Sequence, residues 1–397
     1  MKNSFASPHL LVLAATLSFA PAVLAQTPPA AGAPAVQDAR GRNGGGGAAS
    51  IVSPEVAADR RVTFRLLAPK ATEVSVMGQW DDNKRHPMTK DERGVWTVTL
   101  GPLDPSFWFY NFTLDGIDIA DPVNPQVKLR TRSPVSLVAV PGTEKPELWE
   151  ARTDVPHGEV DTVWHNSKVA ADTRHFFVYT PPDYDPSGTT RYPVLYLLHG
   201  ASSFASDWTA AGRVNFVADN LIAAKRMLPM IIVMPSGYAL PGSNMMPGTR
   251  GGGDNDAALD RYLLEEVIPT VEKKYRAVTD REHRAVMGLS MGGGQALKTG
   301  LSHLELFAAV AGFSSAPIGN FETRFASLVS DAAGTNAKLK LLWIGCGRQD
   351  SAFRTAQNLD ASLTKANLRH TFFEMDGVHN YIVWRRCFEE TATKLFR

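Results

Sequence analysis

The sequence predicts two domains of different architecture, a small all-β sandwich followed by a larger α/β domain. Within residues 51–141, apolar and polar residues alternate in short segments that Gly, Pro and Asp-Gly turns separate. This spacing is typical of a small antiparallel sandwich. Residues 157–397 instead alternate short, continuously apolar runs with helical patterns. That alternation indicates a mostly parallel sheet with helices on both faces, and residues 142–156 are expected to link the two domains.

The first domain is predicted from three alternating segments, residues 62–66, 73–77 and 95–100, and from a further strand at residues 108–114. The order of its features resembles the carbohydrate-binding module 48 type of immunoglobulin-like domain. The residues that carry the resemblance are 76–80, 87–88, 94–96, 109–112, 115–116 and 121–125. Three tryptophans, Trp80, Trp96 and Trp108, could stack on sugar rings or fill the core, and we favour the core. The sequence leaves open whether this domain binds sugar.

The α/β domain is predicted from apolar runs at residues 176–179, 194–198, 230–234, 285–287 and 341–344. Helical patterns cover residues 257–275 and 355–366. In such sheets a functional site lies at the carboxyl ends of the strands.

The amino-terminal residues predict export. Lys2 precedes an apolar run that ends with Val23-Leu24-Ala25, a small-residue cleavage pattern, so residues 1–25 are expected to be a signal peptide. A membrane anchor is the alternative, but the run is short for a span and contains a proline. Residues 26–50, rich in Pro, Ala and Gly, are expected to be a disordered linker. The protein is therefore expected to be secreted or periplasmic, with no membrane attachment after cleavage.

Composition excludes several classes of function. The formal net charge is +1 and no basic run is present, so nucleic acid is not an expected partner. The ten histidines are scattered without a metal-binding spacing, and no metal or cofactor is expected. Cys346 and Cys387 are too few for a disulfide scaffold, and both a disulfide and two buried thiols stay open. The oligomeric state is also left open.

The most informative motif is Gly288-Leu289-Ser290-Met291-Gly292. It fits the G-x-S-x-G pattern, which places a nucleophilic serine on a sharp turn between a strand and a helix. An apolar strand pattern precedes it and a helical pattern follows it. This motif predicts an α/β-hydrolase arrangement with Ser290 as the nucleophile.

A serine hydroxyl needs a base, and in this arrangement the base follows the serine and the acid in the chain. His303 is expected near the end of the helix that follows Ser290. His370 precedes the strand predicted at residues 371–375, so it lies at the amino end of that strand, away from the edge where a site is expected. His379 follows that strand in a loop, which makes it the candidate base.

The acid that orients the base should also follow a strand. Asp350 comes just after the strand predicted at residues 341–344 and is the candidate, although it could also cap the next helix. Asp331 precedes that strand, Asp360 lies within a helix, and Asp376 is too close in the chain to the histidine.

An oxyanion requires two backbone N–H donors. Met291, directly after the nucleophile, is one candidate. Ala201 is the other, because it follows His199-Gly200 in the loop after the strand predicted at residues 194–198. His199 precedes the nucleophile in the chain, so a structural role is expected for it.

With these residues in place, roughly residues 156–397 resemble the esterase D family, specifically carbohydrate esterase family 1, which includes feruloyl and acetylxylan esterases. The matching segments are 179–184, 196–200, 284–295 and 345–350, together with Trp208, His379 and Trp384. Val378 is a departure, because the family commonly has a second glycine there. Trp208 is a candidate substrate-binding residue, and residues 237–256 are expected to line the acyl or sugar pocket.

The resemblance implies a secreted serine carboxylesterase of plant cell-wall polysaccharide, most closely a feruloyl esterase that releases ferulate from arabinoxylan. It implies a feruloylated or acetylated polysaccharide or oligosaccharide as the partner. Three alternatives stay open: an acetylxylan or other short-acyl esterase, a siderophore esterase of the enterochelin type, and a non-catalytic glycan-binding protein.

Overall fold

The structure, a computed structural model, describes residues 51–130, 133–142, 145–242 and 253–397, with the side chains of Gly253 and Asp254 left aside. The predicted signal peptide and linker therefore lie outside the described residues. The described residues belong to one compact unit.

The amino-terminal part folds as two packed antiparallel sheets. Its strands are β1 (Glu55–Val56), β2 (Val62–Leu67), β3 (Val74–Gly78), β4 (His86–Pro87), β5 (Thr89–Lys90), β6 (Val95–Leu100), β7 (Ser106–Leu114), β8 (Ile117–Ile119), β9 (Val127–Lys128) and β10 (Val135–Val140). One sheet has the order β1-β2-β6-β5, and the other β4-β3-β7-β10-β9 with β8 also paired to β7. We call this part the sandwich.

The tryptophans of the sandwich support its core rather than a sugar platform. Trp96 and Trp108 are buried, and their indole N–H groups donate to the carbonyls of Ala68 and Asp104, at 2.9 Å in each case. Trp80 stacks on Phe64 with ring centroids 5.4 Å apart. Buried indoles whose N–H groups are paired belong to the packing of a core.

Strand β7 is buried along both faces over almost its whole length. Trp108, Tyr110 and Phe112 point into the sandwich core. Phe107 and Phe109 point the other way, into a cluster that also contains residues of the second domain. Since side chains alternate along a strand, β7 contributes to two cores at once.

The second domain is built on an eight-stranded sheet. Its strands are β11 (Glu159–Ser167), β12 (Asp172–Thr180), β13 (Val194–Leu198), β14 (Ile231–Met234), β15 (Arg284–Leu289), β16 (Ala309–Phe313), β17 (Leu341–Gly347) and β18 (Thr371–Met375). The order is β11-β12-β14-β13-β15-β16-β17-β18.

This sheet is mixed, so the expected mostly parallel sheet is too simple a description. Six neighbouring strands, in the order β14-β13-β15-β16-β17-β18, pair in parallel. Strand β12 is antiparallel to both of its neighbours, β11 and β14. Only residues 168–171 join β11 to β12, and so short a connection permits a hairpin but not a parallel crossover.

Helices cover both faces of the sheet. They are α1 (Asp207–Ala210), α2 (Val214–Ala223), α3 (Gly253–Arg261), α4 (Ile268–Lys274), α5 (Met291–Ser302), α6 (Phe321–Arg324), α7 (Ala326–Ser330), α8 (Ala332–Lys338), α9 (Phe353–Lys365) and α10 (Tyr381–Ala392), and a π-helical turn (Tyr262–Val267) joins α3 to α4. Apolar residues of α3, α5 and α9 pack on one face. Those of α2 and α10 pack on the other, together with Phe107 and Phe109 of the sandwich.

Polar contacts also join the two domains. The buried Arg385 of α10 donates to the carbonyl of Ala211 at 2.9 Å and to the hydroxyl of Ser106, on β7, at 3.1 Å. Trp149, within the predicted linker, is buried in the same cluster as Phe107. The two domains therefore share an interior.

Both cysteines are buried free thiols. Burial raises the pKa of Cys346 to about 11. Within the described ranges, no helix has the length and hydropathy needed to cross a bilayer.

Candidate active site

Four neighbouring parallel strands bring the candidate residues to one edge of the sheet. Ser290 follows β15, Ser314 follows β16, Asp350 lies three residues beyond β17, and His379 lies four residues beyond β18. Because these strands run in the same direction, their carboxyl ends meet at that edge.

Ser290 sits in a strained turn. Its φ of 52° and ψ of −119° lie in a region that side chains disfavour, and its carbonyl accepts from the N–H of Gly294 at 3.0 Å and of Ala316 at 2.8 Å. A Cβ at Gly292 would collide with the carbonyl oxygen of His199, and one at Gly288 with the carbonyl of Gly292. The glycines of the motif are therefore required by close backbone approach.

Ser290, His379 and Asp350 form a continuous chain of hydrogen bonds. His379 Nε2 lies 3.0 Å from Ser290 Oγ, and Nδ1 lies 2.8 and 2.9 Å from the two carboxylate oxygens of Asp350. A carboxylate only accepts, so Nδ1 carries the proton and Nε2 is free to accept from the serine hydroxyl. The structure thus brings together the three residues predicted from sequence.

Asp350 is buried and held in its ionised form. Burial alone would raise the pKa of its carboxyl, but hydrogen bonds from His379 and from the N–H of Ala352, at 2.7 Å, bring the pKa below its usual range. Ala352 directly precedes α9, so the carboxylate also lies at the positive end of a helix. Asp350 is the partner of the histidine but not the N-cap of α9, which is Ala352 and has no side-chain cap.

Ser314 and Trp384 support this chain, and the sequence did not predict a role for Ser314. The indole N–H of Trp384 donates to Ser314 Oγ at 3.0 Å, and its ring meets His379 edge-on at 4.9 Å. Ser314 has a φ of 46° and also contributes to lowering the pKa of Asp350. Apart from its position directly after an apolar strand, nothing in the sequence around Ser314 indicates this role.

The loop before α1 approaches Ser290 from the other side. A Cβ on Gly200 would come within 2.7 Å of Leu289 Cδ1 and 3.4 Å of Ser290 Cβ, so a side chain there would push the loop away. Met291 begins α5, and its N–H is one of those that a helix leaves unpaired at its start. Ala201 lines the same cavity as Ser290, and the role of its N–H as the second donor stays a prediction.

His199 is structural. It is buried, accepts from the N–H of Gly237 at Nε2 (3.0 Å) and donates from Nδ1 to the carbonyl of Gly200 (2.8 Å). These bonds require the neutral ring, and burial lowers the pKa of His199 accordingly.

The remaining candidates have different outcomes. Trp208 does not line the cavity: it is 0% exposed, and its indole N–H donates to the carbonyl of Leu198 at 3.1 Å, so the substrate-binding prediction is wrong. Of the segment 237–256, residues 243–252 lie outside the described residues. Val378 causes no strain, because the positive φ (143°) occurs at Gly377 instead.

A cavity of about 260 Å³ opens on Ser290 and His379, and its wall comes from both domains. Trp384 and Tyr381 line it from α10, and Gln79, Phe109, Lys128 and Arg130 line it from the sandwich. Sequence reasoning missed these four, because no motif marks residues that meet a site only through domain packing. A larger cavity of about 380 Å³, between residues 315–322 and α9, contains neither Ser290 nor His379.

Two family models match the chain. The putative esterase model matches residues 167–395, and the model of carbohydrate-binding module 48, the isoamylase N-terminal domain, matches residues 51–128.

Similar proteins of known identity include an endo-1,4-beta-xylanase/feruloyl esterase of Xylanibacter ruminicola, which is 30% identical over 351 residues. The match covers 87% of this chain but 46% of the relative, so the chain spans less than half of that protein. An esterase of Mycobacterium tuberculosis is 33% identical over 142 residues, 34% of this chain and 28% of the relative.

Among solved structures, the CE1 ferulic acid esterase of Anaeromyces mucronatus is 26% identical, with a TM-score of 0.55 over 64% of this chain and 96% of its own. The enterobactin esterase of Shigella flexneri has a TM-score of 0.60 at 18% identity, over 85% of this chain and 92% of its own. At that identity the second likeness shows the fold alone.

Proposed function

Because this chain belongs to the putative esterase family, we propose that it is a serine feruloyl esterase acting on plant cell-wall polysaccharide. The observation that carries the proposal is the chain of hydrogen bonds from Ser290 through His379 to Asp350. A serine so placed is a competent nucleophile towards an ester carbonyl.

The reaction proceeds in two acyl transfers. His379 Nε2 accepts the proton of the Ser290 hydroxyl while Oγ attacks the ester carbonyl carbon. The N–H groups of Ala201 and Met291 hold the oxyanion, and the imidazolium returns the proton to the leaving alcohol as the ester C–O bond breaks. Water then loses a proton to His379 and attacks the acyl carbon, which releases the acid and restores Ser290. Asp350 keeps Nδ1 protonated and stabilises the imidazolium throughout.

The choice of a hydroxycinnamate ester rests on the relatives and on the wall of the cavity. The Xylanibacter relative combines xylanase and feruloyl esterase in its name, and the Anaeromyces structure is that of a ferulic acid esterase. Phe109 and Trp384 give the cavity aromatic surface of the kind that packs against a planar ring. The sandwich, matched by a carbohydrate-binding module, favours a polysaccharide as the alcohol part of the ester.

The test is hydrolysis of methyl ferulate by the wild-type chain and by Ser290→Ala. We expect kcat to fall by about 10⁴-fold or more in Ser290→Ala. Ser302→Ala, an exposed serine on the same helix, is the matched control and should keep wild-type activity. Equal turnover by wild type and Ser290→Ala would disprove the mechanism.

A substrate panel tests the acyl group separately. Methyl ferulate, methyl p-coumarate, p-nitrophenyl acetate and an acetylated xylo-oligosaccharide should be compared by kcat/KM. Preference for the acetyl esters would replace the proposal by a short-acyl esterase. Sugar binding without any ester turnover would favour a non-catalytic glycan-binding protein.

We also propose that residues 1–25 are removed during export. The apolar run and the small-residue end of this segment support the proposal. Amino-terminal sequencing of protein recovered from the periplasm or medium should give Gln26 as the first residue, and an intact Met1 would contradict it.

A further inference from the structure

Lys128, from strand β9 of the sandwich, reaches into the second domain beside the candidate active site. Its Nζ lies 2.5 Å from Asp207 Oδ2 and donates to Ser203 Oγ at 3.1 Å and to the carbonyl of Leu129 at 3.2 Å. The side chains of Lys128 and Asp207 are 4% and 0% exposed. This is a buried ion pair between two domains.

Lys128 contacts a short segment of the second domain in its middle and at its end. Ser203 lies two residues after Ala201, whose N–H is a proposed oxyanion donor, and Asp207 begins α1, where the segment ends. Between Ala201 and Ser203, Ser202 has a φ of 57°, and its N–H donates to the Tyr238 hydroxyl at 2.9 Å. We call residues 200–206 the oxyanion loop.

A buried ammonium and carboxylate are costly to desolvate and are weak evidence for stability by themselves. Across the described residues, Asp207 forms its ion pair with Lys128, and neither of its carboxylate oxygens accepts a well-aligned hydrogen bond. The charge of Asp207 is therefore compensated from the other domain. Such a pair fixes the position of the oxyanion loop relative to the sandwich. The buried carboxylate at the end of the loop is stabilised only where the Lys128 ammonium contacts it.

We infer that Lys128 is a positioning residue for ester hydrolysis, which fixes the oxyanion loop through Ser203 and Asp207 so that the Ala201 N–H faces Ser290. The inference rests on the proposed function and adds a role for the sandwich that is separate from sugar binding. It makes the sandwich part of the hydrolytic site.

The cavity wall agrees with this role. Phe109 packs against Tyr381 with ring centroids 6.0 Å apart, and the Arg130 guanidinium lies 5.8 Å from the centre of the Phe109 ring. Both residues belong to the sandwich and line the cavity next to the oxyanion loop. The domain that supplies Lys128 therefore also contacts the space in which an acyl group would lie.

The test uses the full chain and two substrates, methyl ferulate and p-nitrophenyl acetate. Lys128→Met leaves the Asp207 carboxylate buried without its ion-pair partner, so the double variant Lys128→Met/Asp207→Asn removes both charges of the pair together. In that double variant we expect kcat to fall about 10- to 100-fold on both substrates, which approaches the loss of one oxyanion donor, while KM changes by less than about 3-fold. Inactivation by a p-nitrophenyl phosphonate, which loads the oxyanion site, should slow by a similar factor.

Two further variants separate positioning from folding. Ser203→Ala removes one bond of Lys128 but leaves the ion pair, and it should lower kcat about 3- to 10-fold with an unchanged Tm. Ser106→Ala breaks the contact of the sandwich with Arg385 away from the oxyanion loop, and it should keep wild-type kcat.

The outcomes are distinct. Wild-type kcat and phosphonate reactivity in the folded double variant would overturn the inference, and if that variant does not fold, wild-type kcat in Ser203→Ala would do so. Turnover of p-nitrophenyl acetate but not methyl ferulate by the wild type would contradict the feruloyl proposal and leave the Lys128 comparison measurable. A wild type inactive on both esters would overturn both proposals.

Discussion

The two sides of the candidate active site are built from different parts of the molecule. Ser290, Asp350 and His379 follow neighbouring parallel strands, so a single sheet positions all three. The oxyanion loop on the other side meets Lys128 of the sandwich through Ser203 and Asp207. The nucleophile and its base are thus positioned within one domain, whereas the surroundings of the ester carbonyl depend on both. Changes at Lys128 should therefore act on the oxyanion loop and leave the hydrogen bonds of Ser290, His379 and Asp350 in place.

The largest effect is expected on the side that the sheet supports. Asp350→Asn keeps the shape of the side chain but favours the wrong tautomer of His379, so kcat should fall about 10³- to 10⁴-fold. Circular dichroism and Tm should show a folded protein. A kcat within 10-fold of wild type would mean that Asp350 is not the partner of the base.

A smaller loss is expected from displacing the oxyanion loop directly. Gly200→Val would place a branched side chain where even a Cβ comes within 2.7 Å of Leu289 Cδ1, and we expect kcat to fall by about 10²-fold. Gly200→Ala should lose less, because the end of the Leu289 side chain can move. Equal activity of the two variants and the wild type would show that the close approach of the loop is unimportant.

A loss of about 3- to 10-fold in kcat is expected from Trp384→Phe. The change removes the bond from the indole N–H to Ser314 Oγ while it keeps an aromatic ring beside His379. Steady-state kinetics on methyl ferulate measures it. The two variants act on opposite sides of the site, so the fold-loss of kcat in the double variant Trp384→Phe/Ser203→Ala should equal the product of the two single losses. A clearly different value would contradict the independence of the two sides.

The smallest effect on catalysis is expected from a change confined to the interior of the sandwich. The Tyr110 hydroxyl donates to buried Asp121 at 2.8 Å and accepts from the Asn124 amide at 3.0 Å. Tyr110→Phe should lower the free energy of unfolding by about 1–3 kcal/mol, measured in urea, and leave kcat unchanged. A loss of kcat at temperatures where the variant is folded would mean that the sandwich acts through more than its contacts with the oxyanion loop.

The sequence could predict the sheet-supported side because its information is local. Each residue, Ser290, Asp350 and His379, follows a recognisable strand, and their order in the chain matches the order of the roles. The other side is formed by packing between domains, and nothing near Lys128 or Arg130 in the chain indicates what they meet. Trp208 was placed wrongly for a related reason, because proximity to a motif does not determine whether an indole points to the cavity or the core.

The edge strand of the large sheet, β11, could not be predicted from the sequence patterns either. Strand β11 is mostly exposed and lacks a continuous apolar run, which is the signal from which the buried strands were predicted. The mixed character of the sheet follows from this hairpin.

The double burial of β7 has a consequence for how the protein denatures. A strand with Trp108 in one core and Phe109 in the other cannot leave either without exposing both. Heating should then give one calorimetric transition, in which the van't Hoff and calorimetric enthalpies agree, in place of two separate melting steps. In evolutionary terms the sandwich is no longer an exchangeable attachment, because replacing it would require a new surface on α10 as well.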